Sequence, residues 1–127
     1  MRIKYNDKTR ILVLSLLSVE RRAILCHMEL NDVATCLEAL GNPVRLKVFR
    51  ALVRSGPAGL NFGQLHERIG IPRSTLAHHL NTMVQAGVLI QERAGREVFS
   101  RVDFARLQQA LTFVLAECCQ DSPECRE

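Results

Sequence analysis

The chain has no tryptophan, and aromatic residues make up only 5% of its 127 positions. It also lacks internal repeats, low-complexity tracts and linkers. With 47% hydrophobic and 24% charged residues, the composition excludes disordered, collagen-like and mucin-like classes. One domain with a modest core fits this length. No apolar run approaches the roughly 20 residues of a membrane span. The run from Ile11 to Val19 follows a basic start (Arg2, Lys4, Lys8, Arg10). Glu20-Arg21-Arg22 closes it without a small-x-small cleavage pattern, which argues against export and membrane insertion. Residues 1–27 leave two readings open: an extra helix packed on the domain, or a segment upstream of the natural start, with Met28 opening the regular pattern.

Cysteine provides no even framework. Five cysteines is an odd count, and Cys118, Cys119 and Cys125 crowd the last ten residues while Cys26 and Cys36 lie far upstream. That is no disulfide scaffold; free thiols fit a reducing compartment, and a cytoplasmic location is expected. Enzymatic signatures are missing as well, since there is no Cys-x-x-Cys, no phosphate-cradling loop and no acid–base set around a thiol. The expectation is a protein that is not an enzyme.

What the chain does have is a cationic surplus, 17 Lys and Arg against 13 Asp and Glu, a net charge of +4 that suits a polyanionic partner. From Asn31 the pattern turns helical. Asn31 or Asp32 serves as cap, Val33, Cys36, Leu37 and Leu40 share a face, and Gly41-Asn42 ends the run. Pro43 opens a second helix to Arg54 whose four cations, Arg45, Lys47, Arg50 and Arg54, read as a mostly solvated face, with only Arg45 nearing a phosphate or an intrachain carboxylate. A short third helix spans Asn61 to Ile69, with Leu65 and Ile69 inward and Gly70 as terminator.

After Ile71-Pro72, a fourth helix from Arg73 to Ala86 places Leu76, Leu80, Met83 and Val84 at helical spacing. Val88–Arg93 and Arg96–Val102 read as two strands around an Ala94-Gly95 turn. Asp103 then caps a last helix whose stripe Phe104, Leu107, Leu111, Val114, Leu115 and Cys118 runs until Pro123 forbids continuation. Two short helices joined by a tight turn and followed by a basic hairpin are the parts of a winged helix-turn-helix, mainly α with a β-hairpin wing. A recognition helix must offer short hydrogen-bonding side chains near its N-terminus to reach base edges, which Arg73, Ser74, Thr75 and His78 supply. His78 and His79 are adjacent and cannot both face outward, so His79 is expected to be packed. The domain is placed at residues 28–120, with 121–127 as a thiol-bearing tail.

The stretches Leu37-Glu38-Ala39-Leu40-Gly41-Asn42-Pro43-Val44-Arg45-Leu46, Ser74-Thr75-Leu76-Ala77-His78-His79-Leu80, Ala86-Gly87-Val88-Leu89 and Gly95-Arg96 resemble the ArsR/SmtB family of bacterial metal-responsive repressors. The resemblance covers about residues 31–119. It implies a homodimer pairing through the first and last helices, with Leu37, Leu107, Leu111 and Val114 at the interface. It further implies the Arg73–Ala86 helix in the major groove of double-stranded operator DNA, and the wing, with Arg93 and Arg96, on the backbone. Ala77 falls among the DNA-facing positions and departs from the Ser that members often carry there.

Family members place effector sites at different points on one scaffold. The Cys-x-Cys of a helix-three site is absent from Leu60–Leu65, and the last-helix zinc site is missing because no histidine follows residue 79. What remains, Cys118-Cys119-x5-Cys125, resembles the C-terminal three-thiolate site of an arsenite-responsive branch. Adjacent helical residues diverge by about 100°, so Cys118 and Cys119 straddle an ion at a fraying helix end. The tether past Pro123, up to about 20 Å, lets Cys125 fold back as a third sulfur. Three soft sulfurs suit trivalent arsenic or antimony better than zinc, which wants a fourth ligand. The expected inducer is therefore arsenite or antimonite. The alternatives are a thiol redox or persulfide sensor, or a zinc or cadmium sensor, of the same fold. Glu117, Asp121 and Glu124 around the thiols weigh against the redox reading, because negative surroundings raise thiol pKa values.

Overall fold

The computed structural model describes residues 28–116. Its elements run α1 (Leu30–Leu40), α2 (Pro43–Ser55), β1 (Leu60–Asn61), α3 (Phe62–Ile69), α4 (Arg73–Gln85), β2 (Leu89–Ala94), β3 (Glu97–Val102) and α5 (Phe104–Leu115), with a 3-10 turn at Gly56–Ala58. Caps explain several boundaries. The Asn42 side chain accepts the N–H groups of Val44 and Arg45 at the start of α2, where Pro43 has no N–H to lose. Asn61 and Gln64 bond reciprocally at the start of α3, at 2.8 and 3.0 Å. Gly70, at φ +73°, ends α3 in the left-handed conformation, and Pro72 is the N-cap of α4.

The apolar stripes of these helices meet in one core. Val33, Cys36 and Ala39 of α1, Val48, Phe49 and Leu52 of α2, Leu65 of α3, and Leu76, Leu80 and Met83 of α4 are buried together with Leu60, Val88, Leu89, Val102 and Ala110. Full burial of a leucine such as Leu65 contributes about 1.5–3 kcal/mol, so this cluster holds α3 and α4 at a fixed angle. The antiparallel sheet, in order β1-β3-β2, closes the core beside α4. Its register pairs Leu60 with Ser100, Leu89 with Val102, and Ala94 with Glu97.

The winged helix-turn-helix architecture expected from the sequence is present, with local differences. α1 begins at Leu30, with Glu29 as N-cap and no side-chain cap, in place of Asn31 or Asp32. Asp32 is drawn instead toward Arg106, at 3.9 Å. The wing turn is Gly95-Arg96 rather than Ala94-Gly95, because a two-residue connection needs a left-handed residue at its first position, and Gly95 has φ +65°. Val88 belongs to the turn before β2, where it is buried. The sequence reading contains neither β1 nor the 3-10 turn.

α5 ends at Leu115 rather than near Pro123, with Ala116 at φ −57°, ψ 148°. Its last turn packs on no surface among the described residues, with Phe113, Val114 and Leu115 exposed there, and short helices depend on such packing more than on propensity. Among the described residues, no helix is long and apolar enough to cross a membrane.

Candidate nucleic-acid interface

The α3–turn–α4 unit and the wing place the expected contact residues on the surface. Arg73, Ser74, Thr75, Ala77 and His78 are all exposed on α4, as are Arg93 and Arg96 at the tip of the hairpin. The opposite face of α4, Leu76, Leu80 and Met83, is in the core, so the helix has one rotational setting and its polar side must face outward. Pro72 provides no side-chain cap. The first-turn N–H groups therefore add a partial positive charge beside Ser74 and Thr75, an arrangement suited to a phosphate or a base-edge acceptor.

Charge pairing sharpens this surface. Glu92 of β2 accepts a 2.6 Å hydrogen bond from Arg101, which holds its carboxyl below the usual carboxylate range. Glu97 accepts from the Asn61 side chain at 3.2 Å. Arg93, Arg96 and Arg73 have no ion-pair partner among the described residues, so the tip of the hairpin and the start of α4 each present cations free to meet a polyanion. Arg73 lies over the ring of Phe62, 5.8 Å from its centroid, a cation–π contact that limits where its guanidinium can go. Phe62 is a positioning residue that the sequence reading missed; the aromatic at the first position of α3 was the available signal.

The two histidines separate as expected. His78 is exposed, whereas His79 is half-buried, and its Nδ1 is enclosed without a hydrogen-bond partner. Burial, then the charges of Arg45 and His78, lower its pKa from the ordinary histidine value. Arg45 itself departs from expectation. Its Nε donates to the Ala39 carbonyl at 2.5 Å and its Nη2 to the Glu38 carbonyl at 3.2 Å, so within the chain it caps the C-terminus of α1 rather than pairing with a carboxylate. A shallow cleft of about 210 Å³ beside it is lined by Thr35, Glu38, Thr82 and Gln85. The Thr35 and Thr82 hydroxyls there already donate to helix carbonyls.

Of the expected interface residues, Leu37, Leu111 and Val114 are exposed, at 38%, 47% and 52%. Leu107 is not: it leans on the core of its own chain. Phe104, Phe113 and Leu115 extend the apolar surface of α5 that no described residue covers. Cys36 is buried and donates its thiol hydrogen to the Ala86 carbonyl, 3.3 Å away, a structural role. Cys26, Cys118, Cys119 and Cys125 lie outside the described residues. Among the described residues, no group of three His, Cys, Asp or Glu is placed to hold a metal ion.

A family model described as a helix-turn-helix domain matches residues 40–92, from the end of α1 through α4 into β2. The crystal structure of the transcriptional repressor BigR from Xylella fastidiosa is 31% identical, covers 66% of this chain and 86% of that one, and superposes with a TM-score of 0.52. The HTH-type transcriptional regulator NmtR of Mycobacterium tuberculosis is 38% identical over 67 residues, which is 53% of each chain. A crystal structure described as a possible transcriptional regulator for arsenical resistance is 25% identical, covers 63% of this chain and 80% of that one, and has a TM-score of 0.56. These matches span the exposed recognition helix and its supporting core, and the chain belongs to the ArsR/SmtB family of winged helix-turn-helix, DNA-binding transcriptional repressors.

Proposed function

We propose that this repressor binds operator DNA as a homodimer when empty, and releases it when trivalent arsenic or antimony joins Cys118, Cys119 and Cys125. The observation that carries the reading is one of sequence order: α5, whose apolar face no described residue covers, immediately precedes the three-thiol segment in the chain. A ligand bound there acts beside the dimer contact. Such a ligand shifts the equilibrium only as far as it binds the DNA-incompetent dimer more tightly than the competent one. Since a dimer reads half-sites about 34–36 Å apart, a small change in how two α5 helices meet alters the spacing of the two α4 helices. The likeness to a possible regulator for arsenical resistance supports the same effector class.

The test is a titration of the operator-bound protein with arsenite, antimonite, zinc, cadmium and peroxide, in which the first two release DNA at low concentration. Cys118→Ser and Cys119→Ser each retain operator binding and lose release by arsenite, and X-ray absorption of the complex shows three sulfur neighbours. Release by arsenite that survives loss of both thiols refutes the site. Release by peroxide or cadmium in preference to arsenite moves the protein to one of the two other sensing classes.

A further inference from the structure

The exit of the recognition helix is held from two sides. Ala86 and Gly87 follow α4, and the Ala86 carbonyl accepts the Cys36 thiol of α1. On the other side, the Asp103 N–H at the start of α5 donates to the Val88 carbonyl at 3.0 Å. Between these two ties lies Arg106. A Cβ built at Gly87 would sit 2.9 Å from Arg106 Nε and 3.4 Å from its Cζ, so the guanidinium lies against the bare face of that glycine. Gly87 has φ +80°, a conformation that disfavours other residues, and it also leaves the space the arginine fills.

Arg106 is anchored on α5, where its backbone N–H donates to the Asp103 side chain at 3.0 Å, and its Nη2 points across to Asp32 of α1 at 3.9 Å. Stability alone does not account for this placement. The ion pair is long and half-exposed, the kind that contributes little. Arg106 Nε is buried with no hydrogen-bond partner, a costly state for a charged donor. One side chain thus joins both dimerisation helices to the turn that fixes where α4 ends.

We propose that Arg106 is a positioning residue: it locks the exit of the recognition helix to α5 and α1, and so sets which half-site spacing the dimer accepts. The inference rests on the reading of the chain as a dimer on DNA. Whatever moves α5 relative to its partner copy is carried to α4 through this contact, with no need for the core to repack.

The experiment uses the full chain. The wild type selects duplexes from a pool of randomised half-sites with variable spacers, and affinities are then measured at the selected spacing and at one base pair more and fewer. The wild type is expected to prefer one spacing by about tenfold or more. Arg106→Gln, still dimeric by sedimentation and with an unchanged helical spectrum, is expected to fall below about threefold. Gly87→Ala displaces the guanidinium and should relax the preference in the same way, with the double variant no worse than either single one. Arg106→Lys keeps the charge but not the planar group, and provides the same reading should Arg106→Gln fold poorly. An Arg106 variant that keeps the full spacing preference, or that loses affinity equally at all spacings, overturns the proposal. A wild type that enriches no duplex refutes the DNA-binding reading itself.

Discussion

α4 and α5 are similar in length, yet they present opposite surfaces. α4 hides Leu76, Leu80 and Met83 and shows Arg73, Ser74, Thr75 and His78. α5 hides Ala110, leans Leu107 on the core, and leaves Leu111, Phe113, Val114 and Leu115 in solvent. The first is complete within one chain. Among the described residues the second is not, because exposed apolar side chains gathered on one helix mark an interaction surface. The surface proposed to read DNA and the surface proposed for assembly thus lie on separate helices, which should be separable by mutation.

The largest effect should come from the incomplete helix. Leu111→Asp places a charge in the apolar face, and sedimentation should report monomers whose operator affinity falls by orders of magnitude, although the isolated fold persists. An intact dimer would erase the contrast between the two helices. Next in size, Ser74→Ala or Thr75→Ala on the complete helix should cost about 1–3 kcal/mol of specific operator binding if the contact is to a base edge, with the dimer unchanged. Normal affinity for both would remove the start of α4 from the interface.

Smaller still, Asn61→Ala removes the capping box of α3 and should lower the unfolding free energy by about 1 kcal/mol in denaturant titrations, leaving assembly alone. Arg93→Ala or Arg96→Ala should weaken binding to all sequences and reduce the salt slope by about one unit each. An unchanged slope would take the wing off the phosphate backbone.

The smallest effect concerns pH. His79 has a lowered pKa in the folded state, so the unfolded chain binds a proton more readily. Its contribution to stability is full above the ordinary histidine pKa of about 6.5 and is lost as pH falls through that value toward the lowered one. Unfolding midpoints at pH 7 and pH 5 should differ less in His79→Gln than in the wild type. An equal difference would show that His79 is not the group that titrates.

Much of α4 was legible in the sequence because its 3.6-residue period separates large apolar from short polar side chains without ambiguity. The wing was legible for the same reason at period two, apart from a one-residue shift that only the left-handed Gly95 decides. β1 was not legible: two residues carry no period, and Leu60 is a strand residue only because Ser100, forty positions later, pairs with it. Arg45 and Arg106 were illegible for a related reason. Their partners are backbone carbonyls and a bare glycine, which charge counting does not register. The thiol pattern is the reverse case, clear as sequence and beyond the described residues as geometry.

The packing of α1 on α5 joins segments that begin 74 positions apart, Leu30 and Phe104. During synthesis at about 5–20 residues per second, α1 leaves the ribosome roughly 4–15 s before α5 is complete. Throughout that interval α2, α3, α4 and the hairpin form contacts that are mostly local and therefore fast, while the pairing of α1 with α5 waits. On the dimer reading proposed above, newly made chains assemble last the part that meets a second copy, and the rate at which working repressor accumulates should rise with the square of chain concentration when that concentration is low.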